Sequence, residues 1–144
     1  MLVGGQPWEH CPREYLRRQI RALAAAGLSA CAAFENEFLL LRRTAQGYEP
    51  ADTTVFAATG AMNQHQHFLR DLTQALEAQG LQPEFYYPES APGQQELSIR
   101  YADAMGAADN QITYRETVRG VALARPTARL PGCACGAGAD GGGG

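Results

Sequence analysis

Apolar residues recur at helical spacing early in the chain. Leu16, Ile20, Leu23 and Ala24 share one side of a helix. Pro12 suits its first position, and Gly27 can close it just past its end. Arg13, Arg17, Arg18 and Arg21 line the other sides and read as a solvated helix face rather than an anion site. Residues 29–42 then read as a strand running into Phe38-Leu39-Leu40-Leu41. Residues 43–60 read as a loop with a short strand near Val55-Phe56. A second helix is predicted over 61–79, with Phe68, Leu69, Leu72 and Leu76 as its apolar stripe and Gly80 as its stop. His65 and His67, two apart, fall on different sides of that helix and are expected on the surface.

The alternation changes to period two further on. Residues 82–87 form one strand, and 94–101 a second. In the latter, Gln95, Leu97, Ile99 and Tyr101 occupy one face, and Glu96, Ser98 and Arg100 the other. Ala91-Pro92-Gly93-Gln94 carries Pro and Gly where a type II turn favours them. A turn this short makes the two strands an antiparallel hairpin and brings Glu89 close to Glu96. A long helix follows at about 102–124. There are no internal repeats. Residues 1–10 read as a linker or truncated start. Beyond residue 125 the chain becomes a tail of mostly Gly, Ala and Cys without periodicity, and 126–144 are expected to be disordered.

Composition narrows the function classes. The 144 residues suit about one domain and are 45% hydrophobic, enough for a core. A net charge of −3 gives no electrostatic reason to expect nucleic acid. No apolar run is long enough for a transmembrane helix, and the first residues lack the pattern of a signal peptide. No membrane association is expected, and the default compartment is the cytoplasm. Cys11 and Cys31 read as reduced thiols. Cys133 and Cys135 lack a second ligand pair and do not make a zinc site.

The chemistry lies in the acids. Phe34-Glu35-Asn36-Glu37-Phe38 places two carboxylates two residues apart, on one face of a strand, with Asn36 and the phenylalanines on the other. Such carboxylates are ordinarily solvated or paired with a basic residue. Two on one face repel unless a cation lies between them, and hard dications such as Mg²⁺ or Mn²⁺ take ligands of this kind.

Three stretches carry a resemblance: Cys11-Pro12-Arg13-Glu14-Tyr15-Leu16, Phe34-Glu35-Asn36-Glu37-Phe38, and Tyr87-Pro88-Glu89-Ser90-Ala91-Pro92-Gly93-Gln94-Gln95-Glu96. Ala107-Ala108-Asp109, placed ahead of the long helix, also fits. Over about residues 6–125 the chain resembles the glutamine synthetase catalytic domain, in the superfamily of glutamate–ammonia and glutamate–amine ligases. The acid-x-acid strand alone is weak evidence. Joined in this order to Glu…Gly-Gln-x-Glu, it is specific.

The resemblance implies an α+β fold over residues 11–125, an incomplete catalytic domain with a partial curved antiparallel sheet and flanking helices. It implies Mg²⁺ or Mn²⁺, with ATP as co-substrate. Glu35 matches a ligand of the metal on the nucleotide phosphates. Glu37, Glu89 and Glu96 match the acids around the other metal, so these three are expected to converge. The family reaction joins glutamate, through its γ-carboxyl, to ammonia or an amine. Its members are homo-oligomers.

The departures from the family pattern are equally specific. The small domain that precedes this region in the family is missing, and so are the later Lys-Pro segment, metal-binding His and arginines. The chain is therefore expected to be a fragment, frameshifted or truncated, with a natural disordered tail as the alternative. It is expected to be inactive by itself and prone to aggregation. A non-catalytic structural member of the superfamily, and an unrelated carboxylate metal-binding domain, are the competing readings.

Overall fold

The computed structural model describes residues 2–124. The Gly-rich tail, with Cys133 and Cys135, lies outside the described residues. The stretch read as a linker begins with a small antiparallel hairpin, β1 (Leu2–Val3) with β2 (Gln6–Pro7). Pro12 then opens α1 (Pro12–Ala25), and Gly27 follows it at φ +74°. The arginine face of α1 is exposed but paired. Arg17 and Arg21 donate to Glu14, and Arg13 donates to Asp109.

The single strand expected at 29–42 is instead three short ones: β3 (Cys31–Ala32), β4 (Glu37–Leu39) and β5 (Leu41–Thr44). Each finds a different partner, so no one ladder can run the whole length. β5 turns back into β6 (Gly47–Pro50), a hairpin inside the stretch expected to be a loop. No strand forms at Val55-Phe56 among the described residues. α2 (Thr59–Ala78) follows, then β7 (Pro83–Pro88) and β8 (Gln94–Ile99). β9 (Ala102–Asp103) pairs with β3 and leads into α3 (Ala104–Leu123). Ala107-Ala108-Asp109 therefore lies within α3 rather than ahead of it.

The central sheet has the order β4-β8-β7 and is antiparallel throughout. The protein is thus α+β, with helices covering one face of that sheet. The alternation of β8 decides the sides. Gln95, Leu97 and Ile99 are buried on the helix side, where Leu97 and Ile99 meet Phe38, Phe68, Leu72, Leu76, Tyr114 and Val118. Tyr101 lies past the end of the strand and is exposed. Burying such a row of apolar side chains contributes roughly 1.5–3 kcal/mol each and holds the sheet against α2 and α3.

Asp103 fixes where α3 begins. Its carboxylate accepts from the backbone N–H groups of Met105 at 3.1 Å and Gly106 at 3.0 Å, which have no partner inside the helix. Asp103→Ala is expected to lower unfolding stability by about 1 kcal/mol, read by urea denaturation. Asp103→Asn should recover most of it; equal losses in both variants would mean the cap contributes little.

Candidate metal centre

The face of the sheet away from the helices carries the acids. β4 and β8 pair so that Glu37 lies directly opposite Glu96, and β7 and β8 pair so that Tyr87 lies opposite Glu96 on the other side. Past the end of β7, Glu89 donates its N–H to the Gln94 carbonyl at 2.8 Å, closing the turn. A carboxylate oxygen from each of Glu37, Glu89 and Glu96 lies within 4.8 Å of the other two. Like charges placed opposite each other across a ladder are destabilising. None of the three carboxylates pairs with an arginine among the described residues.

The electrostatics follow from this crowding. Burial pushes the Glu96 carboxyl above the ordinary carboxylate range. The hydrogen bond from the Tyr87 hydroxyl works the other way, and the charges of Glu35, Glu89 and Glu37 add to the upward push. Tyr87 is displaced upward in turn, first by its bond to Glu96, then by burial and by the charges of Glu96, Glu89 and Glu35. Gln94 donates its side-chain N–H to Glu37 Oε2 and accepts from the Ala91 N–H at 3.0 Å, which ties that carboxylate to the turn. Glu89 Oε2 accepts from the Ser90 N–H at 3.1 Å.

Glu35 stands outside this trio. Residues 33–36 link β3 to β4, with the Asn36 carbonyl accepting from the Leu97 N–H at 3.1 Å, and the alternation persists: Glu35 and Glu37 are exposed, and Asn36 and Phe38 are buried. Phe34 does not point inward with Phe38. It is 43% exposed and lines a cleft of about 550 Å³ together with Glu35, Glu84, Phe85, Tyr87 and Glu96. The cleft adjoins the carboxylate trio through Glu96, so Glu35 faces a space large enough for a ligand.

His65 corrects the sequence reading. It is buried, and its Nε2 lies 2.8 Å from Asp52 Oδ2. Gln95 donates to the same oxygen at 3.0 Å, while Thr54 donates its N–H and hydroxyl to Oδ1 at 3.1 and 2.8 Å. Tyr86 donates to Gln95 Oε1. Burial works to raise the Asp52 carboxyl, but the bonds from Thr54 and His65 prevail and hold it below its ordinary range. Burial and the Asp52 charge hold the Tyr86 phenol far above its own. This network lies behind β8, on the face opposite Glu96. His67 is exposed, as expected.

Sequence reasoning missed Tyr87, Gln94 and the Asp52 network. Tyr87 and Gln94 lie inside the quoted motif, and the predicted hairpin register was the signal that could have placed both beside the acids.

The family model described as "Glutamine synthetase, catalytic domain" matches residues 9–128. A glutamine synthetase of Mycolicibacterium smegmatis is 37% identical over 145 residues, covering 92% of this chain and 32% of its own. One from Thermus thermophilus is 37% identical over 123 residues, covering 83% and 28%. A solved structure described as a novel glutamine synthase homolog superposes with a TM-score of 0.72 at 34% identity, covering 82% of this chain and 26% of its own. The chain thus spans about a third or less of the length of these relatives. No helix among the described residues is long and apolar enough to cross a membrane.

Proposed function

The chain belongs to the glutamine synthetase family, in its catalytic domain, and from that premise we propose that Glu37, Glu89 and Glu96 together hold one divalent cation, Mg²⁺ or Mn²⁺. The donor set suits such an ion: three hard oxygen ligands, mutually repelling, without a basic side chain paired to them among the described residues. Glu35, facing the adjoining cleft, is proposed to serve a second cation at the nucleotide phosphates. The reaction proposed for the protein is the family's. ATP phosphorylates the γ-carboxylate of glutamate, and ammonia or an amine then displaces phosphate to form the amide.

Each residue of the site has a task in this reading. Glu96, buried and opposed to Glu37, sets the position of the site. Tyr87 orients the Glu96 carboxylate through its hydroxyl, and Gln94 orients that of Glu37. Glu89 completes the set from the turn end of the hairpin. The cation, when bound, supplies the charge neutralisation that phosphoryl transfer requires.

The observation that carries the reading is the approach of three carboxylates to within 4.8 Å in a chain of this family. Mn²⁺ titration followed by electron paramagnetic resonance tests it. One tight site is expected in the unaltered chain. Glu89→Gln should weaken it at least about tenfold, as losing a charged ligand does. Glu84→Gln, in the cleft but outside the trio, should change that site far less. Equal binding by the unaltered chain and Glu89→Gln would remove the trio from the metal site.

A further inference from the structure

We infer that the segment from Asp52 to Ala58 is a strap that positions the carboxylate trio, with Phe56 and Ala57 as its positioning residues. The inference rests on the reading of Glu37, Glu89 and Glu96 as a cation site and adds what holds that site in shape. One end of the strap is pinned behind the sheet. Asp52 takes hydrogen bonds from Thr54, from His65 of α2 and from Gln95 of β8, all on the core side. The other end reaches the acidic side. The Phe56 ring meets the Tyr87 ring edge-on at 5.7 Å between centroids, and the Ala57 N–H donates to the Pro88 carbonyl at 2.9 Å. Tyr87 lies directly opposite Glu96 across the β7–β8 ladder, and Pro88 immediately precedes Glu89. The strap therefore grips the neighbours of two ligands while its root is fixed to the strand that carries one of them.

Two features show that these contacts are specific. Ala57 holds φ at +54°, the left-handed region that an alanine adopts only when its surroundings impose it. Phe56 is 57% exposed, so burial alone does not account for its place against Tyr87. An edge-on aromatic pair has a geometric preference that a flexible contact lacks, and it restricts rotation of the Tyr87 ring. Groups that orient a ligand in this way commonly tune metal affinity without touching the metal.

The test uses the full chain, with Mn²⁺ alone as the probe. Phe56→Ala is expected to weaken Mn²⁺ binding about tenfold, the scale of lost orienting groups, with thermal unfolding nearly unchanged because the side chain is mostly exposed. Phe56→Tyr, which keeps the ring edge, should restore binding. Ile112→Ala, another exposed apolar residue on α3, should bind as the unaltered chain does. Amide hydrogen exchange provides a reading independent of metal. The Ala57 and Glu89 N–H groups should be protected in the unaltered chain, and both should exchange faster in Phe56→Ala. Mn²⁺ binding by Phe56→Ala equal to the unaltered chain would overturn the inference. An unprotected Ala57 amide in the unaltered chain would overturn it as well. Absence of Mn²⁺ binding by the unaltered chain would refute the cation site itself. The strap would then stand if the Glu89 amide exchanges faster in Phe56→Ala, and fall if it does not.

Discussion

Gly93→Ala is expected to cost about 3 kcal/mol of unfolding stability, the upper end of ordinary single substitutions, and to weaken Mn²⁺ binding with it. Gly93 sits in the turn between β7 and β8 at φ +72°, where an L residue pays about 1–2 kcal/mol. The remainder comes from contact. A Cβ at this position would stand 2.7 Å from the Leu40 carbonyl oxygen and 3.2 Å from Pro50 Cβ. That oxygen cannot simply retreat, because it accepts the Ala51 N–H at 2.8 Å. The Leu40 N–H also donates to the Gly93 carbonyl at 2.7 Å, so the two backbones are locked to each other from both sides. Displacing the turn displaces Gln94, and with it the side chain that orients Glu37. Urea denaturation and Mn²⁺ titration of the same preparation measure both effects. A loss below about 1 kcal/mol would show that the turn yields without strain. A full loss of stability with unchanged Mn²⁺ affinity would show that Gln94 does not orient the ligand.

What the sequence revealed of this site came from local pattern. The β7–β8 hairpin was legible because Pro92-Gly93 marks the turn and because Gln95, Leu97 and Ile99 alternate with Glu96 and Ser98. That register alone brought Glu89 toward Glu96. The side of Glu37 was legible from the same alternation, even though the strand expected at 29–42 is broken. What broke it is not local. β3 and β4 pair with β9 and β8, far along the chain, while β5 folds back onto β6. The β5–β6 hairpin was hidden because Gln46-Gly47 stood in a stretch rich in polar and small residues that reads equally well as loop. His65 escaped for a related reason. On α2 its spacing from Phe68 and Leu72 puts it on the apolar side, but only the loop residue Asp52 gives a buried imidazole a partner, and no pattern within the helix announces that bond. The resemblance to the family supplied the identity of the four acids, which alternation alone leaves indistinguishable from a solvated pair.

Glu96→Gln is expected to abolish the tight Mn²⁺ site and, at the same time, to stabilise the metal-free chain at neutral pH. The two effects have one cause. The Glu96 carboxyl is displaced above its ordinary value of 4.5 by burial and by three neighbouring acids. The folded chain therefore holds a proton that the unfolded chain has already released, throughout the interval from about 4.5 up to the folded value. Where the folded state binds more protons, stability falls as pH rises, so ionised Glu96 works against folding at neutral pH. Asp52 has the opposite sign. Its carboxyl is displaced below 3.8, so its contribution is complete above that value and is lost as pH falls through the folded one. The metal-free chain should thus be more stable near pH 5 than near pH 7, and lose stability again in stronger acid. In Glu96→Gln the carboxamide keeps the shape and the acceptor for Tyr87 but carries no charge. The rise in stability from pH 7 to pH 5 should shrink, while the acid limb set by Asp52 remains. Mn²⁺ should raise the melting temperature of the unaltered chain strongly near pH 7, less near pH 5 where protons compete for the same oxygens, and not at all in Glu96→Gln. Thermal melts across pH with and without Mn²⁺ separate these effects. If the variant melted lower than the unaltered chain at neutral pH, the Glu96 charge would be a stabilising contact, and the strain that a cation is proposed to relieve would not exist.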